Sequence, residues 1–495
     1  MDALERVAFE VLRLVRSIKN SLAPINRVPP EVLLLILDYY DEGDMDKDLI
    51  TFTHVCRGWR DVFISRSSLW ARLDFKNMHK TWTYIQRSKS SPLKIYLKRS
   101  RIIHHAFPQM IPHIHRLKSP TIDAEALPRL LQHFRCRTPL LEKLDIHSLG
   151  NLALDGALFN GDLSSLRELR LRGIITHFPW KNLANLQVVN VQFCFQQHVI
   201  TRLLDFFESA PLLHTVFLWY SMSNSSEAPP KRIVHLRNLK VFTINAPPPH
   251  SILLRHLHIP TGASLISEFR FRGEELPLLD HLSVDSPNLR NLSHITTMNL
   301  LFDMKRKFAR LSGPSGSLRV LPVWEHSGVR ISYLRDGQIL RSLGHPMLSR
   351  IQRLVISEYR HPRPVEIEEC PIFKTLSSTH DLRTLTLIDC NYLPFVLALD
   401  PEQNPSNLAL CPNLEELVLY IPSRHYFRAE CLISMEKNRA SRGVKLLSIT
   451  IVGLGELAPR EVLKLREHIA HVEYRVEAAR PAWDSVPGES CGGNE

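Results

Sequence analysis

SLRELRL (165–171) is the stretch from which the architecture is read. Leu169 and Leu171 alternate with polar residues, the period of a strand with one buried face. Leu166 lies three residues earlier. The same apolar-x-x-apolar-x-apolar pattern recurs upstream as LLEKLDI (140–146) and downstream as NLQVVNV (185–191), LLHTVFL (212–218), NLKVFTI (238–244), LISEFRF (265–271) and LLDHLSV (278–284). Later copies are RIQRLVI (350–356), DLRTLTL (381–387), NLEELVL (413–419) and GVKLLSI (443–449). Starts are mostly 20 to 32 residues apart, with helix-like stretches such as ITRLLDFFESA (200–210) and ECLISMEKNRAS (430–441) between them. One such unit cannot bury its apolar face alone, but stacked units share a continuous core.

The spacing therefore predicts an α/β chain. Over 124–476 it takes the form of an irregular leucine-rich-repeat solenoid, with a parallel β face and with helices and loops outside. The stretch near 295–345 interrupts the pattern: LRVLPV (318–323) reads as a damaged copy carrying Pro322, and VRISYL (329–334) as an extra strand. Residues between and just after the buried positions project onto the opposite, concave sheet face. They include Glu168, Arg170, Arg172, Asn190, Gln192, Phe217, Trp219, Glu268, Arg270, Arg272, His281 and Asp285. Two E-x-R-x-R triplets and two aromatic residues make this a candidate face for an acidic or mixed protein substrate, since Arg and Trp are enriched at binding hot spots. The alternative is ordinary cross-strand charge pairing.

Composition bounds the function classes. The chain has 495 residues, 44% hydrophobic and 23% charged, enough apolar material for a large core. No uncharged apolar run is long enough to span a bilayer, so no membrane role is expected. The charged N-terminus argues against a signal peptide, and the expected compartment is cytoplasmic or nuclear. The eight cysteines form no C-x-x-C pair and read as reduced, mostly buried thiols. The tail 477–495, rich in Gly, Pro and Ser, reads as disordered. Residues 1–25 hold an amphipathic helix, with Leu4, Val7, Val11, Leu14, Val15 and Ile18 at steps of three and four. That helix is expected to dock or pair. Residues 76–123 form a basic linker and first irregular repeat; 76–122 hold 10 Lys and Arg with no Asp or Glu, a patch for nucleic acid or an anionic surface, or simply a solvated face.

Residues 28–73 carry the most specific local pattern. Pro29 and Pro30 suit a helix start, where the first N–H groups lack partners. VLLLILDYY (32–40) then continues as one helix. A second helix, capped by Asp48, carries Leu49, Phe52, Val55, Cys56 and Trp59 at helical spacing, and a third short segment holds Leu69, Trp70 and Leu73. A unit this small lends apolar surface to something else.

This stretch, VPPEVLLLIL then DL (48–49), VCRGWRDV (55–62) and LWARL (69–73), resembles the F-box motif in order and spacing, with a longer acidic loop and Val28 where the family usually has Leu. LAPINRVPPE and RSKSSPLKIYL (87–97) look like the expanded fungal F-box families, in which degenerate leucine-rich repeats follow. The resemblance implies an F-box over 26–75 docking the Skp-type adaptor of a cullin–RING ubiquitin ligase. It further implies that Pro29, Pro30, Leu33, Ile36, Leu37, Leu49, Val55, Cys56, Trp59 and Trp70 make or support that interface. The chain would then be a non-catalytic substrate receptor, with the alternative of a binding scaffold that uses the F-box for assembly without ubiquitination. The residues themselves offer no rival chemistry: P-loop, nucleophile elbow and H-E-x-x-H are all absent, and the clustered histidines (104, 105, 113, 115; 250, 256, 258) lack nearby acidic or thiol ligands. Neither a cofactor nor a metal is expected.

Overall fold

The computed structural model describes residues 3–38, 45–97, 103–123, 131–153, 158–175, 182–195, 199–222, 232–245, 251–270, 288–289, 295–302, 307–312, 317–323, 350–357, 376–404, 408–421, 428–453 and 459–476. The chain forms two compact units, Met1–Cys194 and Phe195–Glu495.

The first unit opens with helices: α1 (Ala3–Leu22), α2 (Pro30–Asp38), α3 (Met45–Thr53), α4 (Arg57–Ser65) and α5 (Met78–Arg87), with α6 (Ile103–Met110) further on. Two expectations change here. Asp48 lies inside α3 rather than capping it, and the second expected helix is two helices, because the chain turns at His54 and Val55 and Cys56 caps α4. Strands β1 (Arg72–Leu73), β2 (Leu93–Leu97), β3 (Leu117–Asp123), β4 (Lys143–Ala153), β5 (Glu168–Ile175) and β6 (Val188–Phe195) follow, each parallel to the next. The sheet thus begins inside the segment read as the helical module and runs through the segment read as a linker.

The second unit continues the design with β7 (Thr215–Met222), β8 (Val234–His235), β9 (Val241–Asn245), β10 (Leu257–His258) and β11 (Ser264–Arg270). Then come β12 (Thr297–Phe302), β13 (Lys307–Ser312), β14 (Ser317–Val323), β15 (Arg353–Ser357), β16 (Thr384–Ile388), β17 (Glu416–Ile421), β18 (Ser448–Gly453) and β19 (His471–Val476). Its helices include α7 (Val199–Ser209), α8 (Ser251–Arg255), α9 (Leu393–Leu399), α10 (Ala429–Ser441) and α11 (Pro459–Arg466). The order β7–β9–β11–β14 is parallel, as is β12–β15–β16–β17–β18–β19. Between them β13 runs antiparallel to both β12 and β14. LRVLPV is therefore an intact strand, with Pro322 opposite Phe269 of β11. VRISYL, LLDHLSV and the tail 477–495 lie outside the described residues. The pair β8–β10 forms a separate small sheet.

The recurring sequence pattern has a local cause. The first apolar residue of a unit sits at the end of a tight turn: the amides of Leu141, Leu166, Leu186, Leu239 and Leu414 donate to carbonyls three residues back at 3.0–3.1 Å. The next two apolar positions enter the strand and are buried, as with Leu169 and Leu171, Val189 and Val191, Leu385 and Leu387, and Leu417 and Leu419. Asparagine links neighbouring turns. The side-chain amides of Asn185, Asn238 and Asn413 donate to the carbonyls of Ser164, Pro211 and His380, at 2.7, 3.0 and 3.2 Å. Two units depart from the expected register: at 265–271 Leu265 is buried and Ile266 only partly so, and at 443–449 Leu446 is buried while Leu447 is exposed. On the helical side, α10 buries Arg439, whose guanidinium donates to the carbonyls of Leu410 and Cys411 at 2.7 and 3.0 Å. Burial pushes the Cys411 thiol up to about 11. Of the described cysteines it is the one that is fully buried; Cys56, Cys136, Cys390 and Cys431 are half-buried free thiols, so the expectation of mostly buried cysteines does not hold among them.

Candidate docking surface

The helical module is built on a polar pin and an aromatic cluster. Pro30 starts α2, and the Pro29 carbonyl accepts from the amides of Val32 and Leu33 at 3.0 and 3.2 Å. Pro30 has no N–H to waste at that position. Cys56 accepts the Trp59 amide at 3.5 Å, capping α4. The Trp59 indole N–H donates to Asn26 Oδ1 at 2.6 Å, and the Cys56 thiol reaches the same oxygen at 3.8 Å. Asn26 thus ties the approach to α2 onto the start of α4. Sequence reading passed over this residue, and its one signal was its place in LAPINRVPPE. Trp59, Phe52 and Phe63 pack as a triad with ring centroids 5.6–5.7 Å apart.

Exposure sorts the expected interface residues. Leu33, Leu49 and Trp70 are buried, so they shape the surface rather than meet a partner. Trp70 is 1% exposed; its indole N–H donates to the Phe63 carbonyl at 2.8 Å, Tyr84 meets it edge-on at 4.9 Å, and the Arg87 guanidinium covers its ring at 4.3 Å. Cys56 and Trp59 are half-buried. Pro29 and Pro30 are exposed. Ile36 and Val55 are 44% and 47% exposed, joined by Val32, Leu35 and Ile50, which were not among the expected interface residues. The Leu37 side chain lies outside the description. Five large apolar side chains, three on α2, one on α3 and Val55 in the turn before α4, are left exposed on this small module, and clustered exposed apolar groups mark interaction sites.

Residues 25–76 match the F-box-like family model. No curated protein matches the chain. F-box domains generally bind Skp-type adaptors of cullin–RING ligases and generally belong to non-catalytic substrate receptors. The F-box-like match thus covers α2, α3, α4 and the exposed apolar residues on α2, on α3 and in the turn before α4.

The outward rows of the sheet are described for each unit by itself. In the first unit Lys143, Glu168 and Val188 share one row, Asp145, Arg170 and Asn190 the next, and His147, Arg172 and Gln192 a third. Glu168 lies 2.6 Å from Arg170 and 3.2 Å from Lys143. Burial raises the Asp145 carboxyl above its ordinary range, a shift opposed by Arg170 and Arg172. Arg170 is thus paired with Glu168 within β5, Lys143 reaches the same carboxylate across the strands, and Arg172 is the exposed cation of the set. In the second unit Phe217 and Trp219 are half-buried, less open than expected, and Trp219 is level with Asn245 and Glu268. Arg270 ends β11, while Arg272, His281 and Asp285 lie outside the described residues.

The basic segment is partly consumed by the fold. Arg116 is buried and donates to the Ser91 carbonyl and the Ser88 hydroxyl, Arg87 covers Trp70, Lys80 pairs with Asp74 at 3.1 Å, and Lys118 with Glu142 at 3.0 Å. Among the described residues no group of three or more His, Cys, Asp or Glu is placed to hold a metal, and no helix is long and apolar enough to cross a membrane.

Proposed function

We propose that this chain is the substrate-recognition subunit of an SCF-type ubiquitin ligase. The F-box-like module docks the Skp-type adaptor, and the parallel-strand units, read as degenerate leucine-rich repeats of an irregular solenoid, bind the protein to be marked. The chain performs no bond chemistry. It raises the concentration of a substrate beside the ligase, as any bivalent tether does. The compartment that fits is the cytoplasm or nucleus. The observation that carries the reading is the exposed patch of Val32, Leu35, Ile36, Ile50 and Val55 within the matched segment. In the first unit Arg172 is the exposed outward group offered to a substrate; in the second unit Phe217 and Trp219 face outward half-buried. The nucleic-acid reading of 76–122 loses ground because Lys80, Arg87, Arg116 and Lys118 already serve the fold.

The test is co-purification with the Skp-type adaptor. Pro30→Ala with Trp59→Ala would also unpin Asn26, so the sharper variant is Ile36→Glu with Val55→Glu, both at exposed sites. Burying an unpaired carboxylate in an interface is costly, and adaptor capture should fall at least about tenfold, a loss of about 1.4 kcal/mol or more, with unfolding temperature unchanged. A well-folded wild type that captures no adaptor overturns the reading.

A further inference from the structure

Among the described residues, helix α1 packs against no other element of its unit through its apolar stripe. Every residue from 4 to 22 is exposed. Leu4, Val7, Val11, Leu14 and Ile18 stand 54–82% exposed although they are large and apolar. These five alternate at steps of three and four, the a and d positions of a heptad, and Ala8, Val15 and Leu22 widen the stripe at e. Most of a helix's stability in a protein comes from packing its amphipathic face rather than from propensity. Helix α1 is linked to the following turn by the Asn26 side-chain amide and the Ala23 backbone amide, which donate to the Asn20 carbonyl at 2.6 and 3.1 Å. The apolar stripe faces away from any core among the described residues.

Charge selects what covers it. The first half of the helix carries Glu5, Arg6 and Glu10, and the second half Arg13, Arg16 and Lys19. Parallel pairing of two copies would lay one cationic half beside the other. Antiparallel pairing lays each acidic half beside a basic one and opposes the two helix dipoles favourably. Full antiparallel overlap, Ala3 opposite Leu22, also brings a positions against d positions. Val11 then meets Leu14 of the second copy, Val7 meets Ile18, Ala8 flanks Val15, and Glu5 falls beside Lys19. A register fixed by helix length therefore also satisfies the apolar layers and the charges. A lipid surface fits less well, because Glu5 and Glu10 would face the same headgroups as the arginines.

We infer that α1 pairs antiparallel with α1 of a second copy of this chain, making the protein a dimer through its N-terminal helix. The inference does not depend on adaptor binding. The test is sedimentation of the full chain in the micromolar range. Wild type should run at twice the chain mass, and Val7→Asp with Leu14→Asp at the chain mass, with undiminished thermal stability of the remainder. Mixed Val7→Cys and Ile18→Cys chains should cross-link under mild oxidation, well above the background of wild type, while Val7→Cys alone should not. A wild-type monomer, a dimer that survives Val7→Asp with Leu14→Asp, or Val7→Cys chains that cross-link to one another each overturn the proposal. Monomeric wild type that binds phosphatidylserine vesicles through α1 overturns it in favour of a membrane surface.

Discussion

Trp70 shows how one side chain joins two kinds of structure. It is the last residue of a short 3-10 turn, its indole N–H closes onto the Phe63 carbonyl of α4, and its ring is sandwiched by Tyr84 and Arg87 of α5. Trp70→Ala should lower stability by about 3–5 kcal/mol, the range for emptying an aromatic site, read as a drop in the first unit's unfolding temperature. Trp70→Phe should cost about 1–2 kcal/mol, since it chiefly strands the Phe63 carbonyl. Gly173 is a second constraint. It holds φ +64° in β5, and an added Cβ would fall 2.0 Å from the Ser148 carbonyl oxygen. That approach lies beside the irregularity in β4 between His147 and Leu152. Gly173→Ala must therefore move backbone, and it should cost about 1–3 kcal/mol, the range for an imposed backbone strain. Hydrogen exchange should locate the loss at the β4–β5 edge.

At the level of elements, the turn Ile111–Arg116 seats the start of β3 through the buried Arg116 guanidinium. His113 Nδ1 lies 3.3 Å from Arg116 Nη1. Burial first, then Arg116 and His115, push the His113 imidazole below its ordinary 6.5. The folded state thus holds fewer protons than the unfolded one as pH falls below that value, so stability is full above about 6.5 and declines as pH drops toward the folded pKa. Urea midpoints at pH 7.5 and 5.5 should show this decline, and His113→Asn, which keeps an acceptor near Nδ1, should flatten it.

The same elements show what the sequence could and could not carry. Buried positions of the strand units were legible because burial follows a period of two, set within a few residues. The α3–α4 break was not: Leu49, Phe52, Val55, Cys56 and Trp59 keep an unbroken helical period, and the partner that stabilises the cap, Asn26, lies 30 residues before Cys56. The structural use of Arg116 and Arg87 was also hidden, since a cation's neighbour across the fold leaves no local trace. For the docking patch, the helices and Ile36 and Val55 were readable, whereas the inward turn of Leu33, Leu49 and Trp70 needed the packed module.

Across the whole molecule, the proposed function divides between a helical module that offers apolar surface and strands that offer polar rows. If so, Arg172→Glu should reduce capture of a bound protein without touching adaptor capture, and a pull-down scored for both would separate the roles. A fall in both would instead mean the sheet itself had been disturbed. Strand β13 has a separate consequence. It reverses against β12 and again against β14, and two reversals restore the original direction. Strand polarity in this series is therefore a matter of parity. Losing β12 and β13 together would leave β14 pointing the same way as β11 and β15, so paired strands could enter or leave the series here during evolution without turning any downstream unit around.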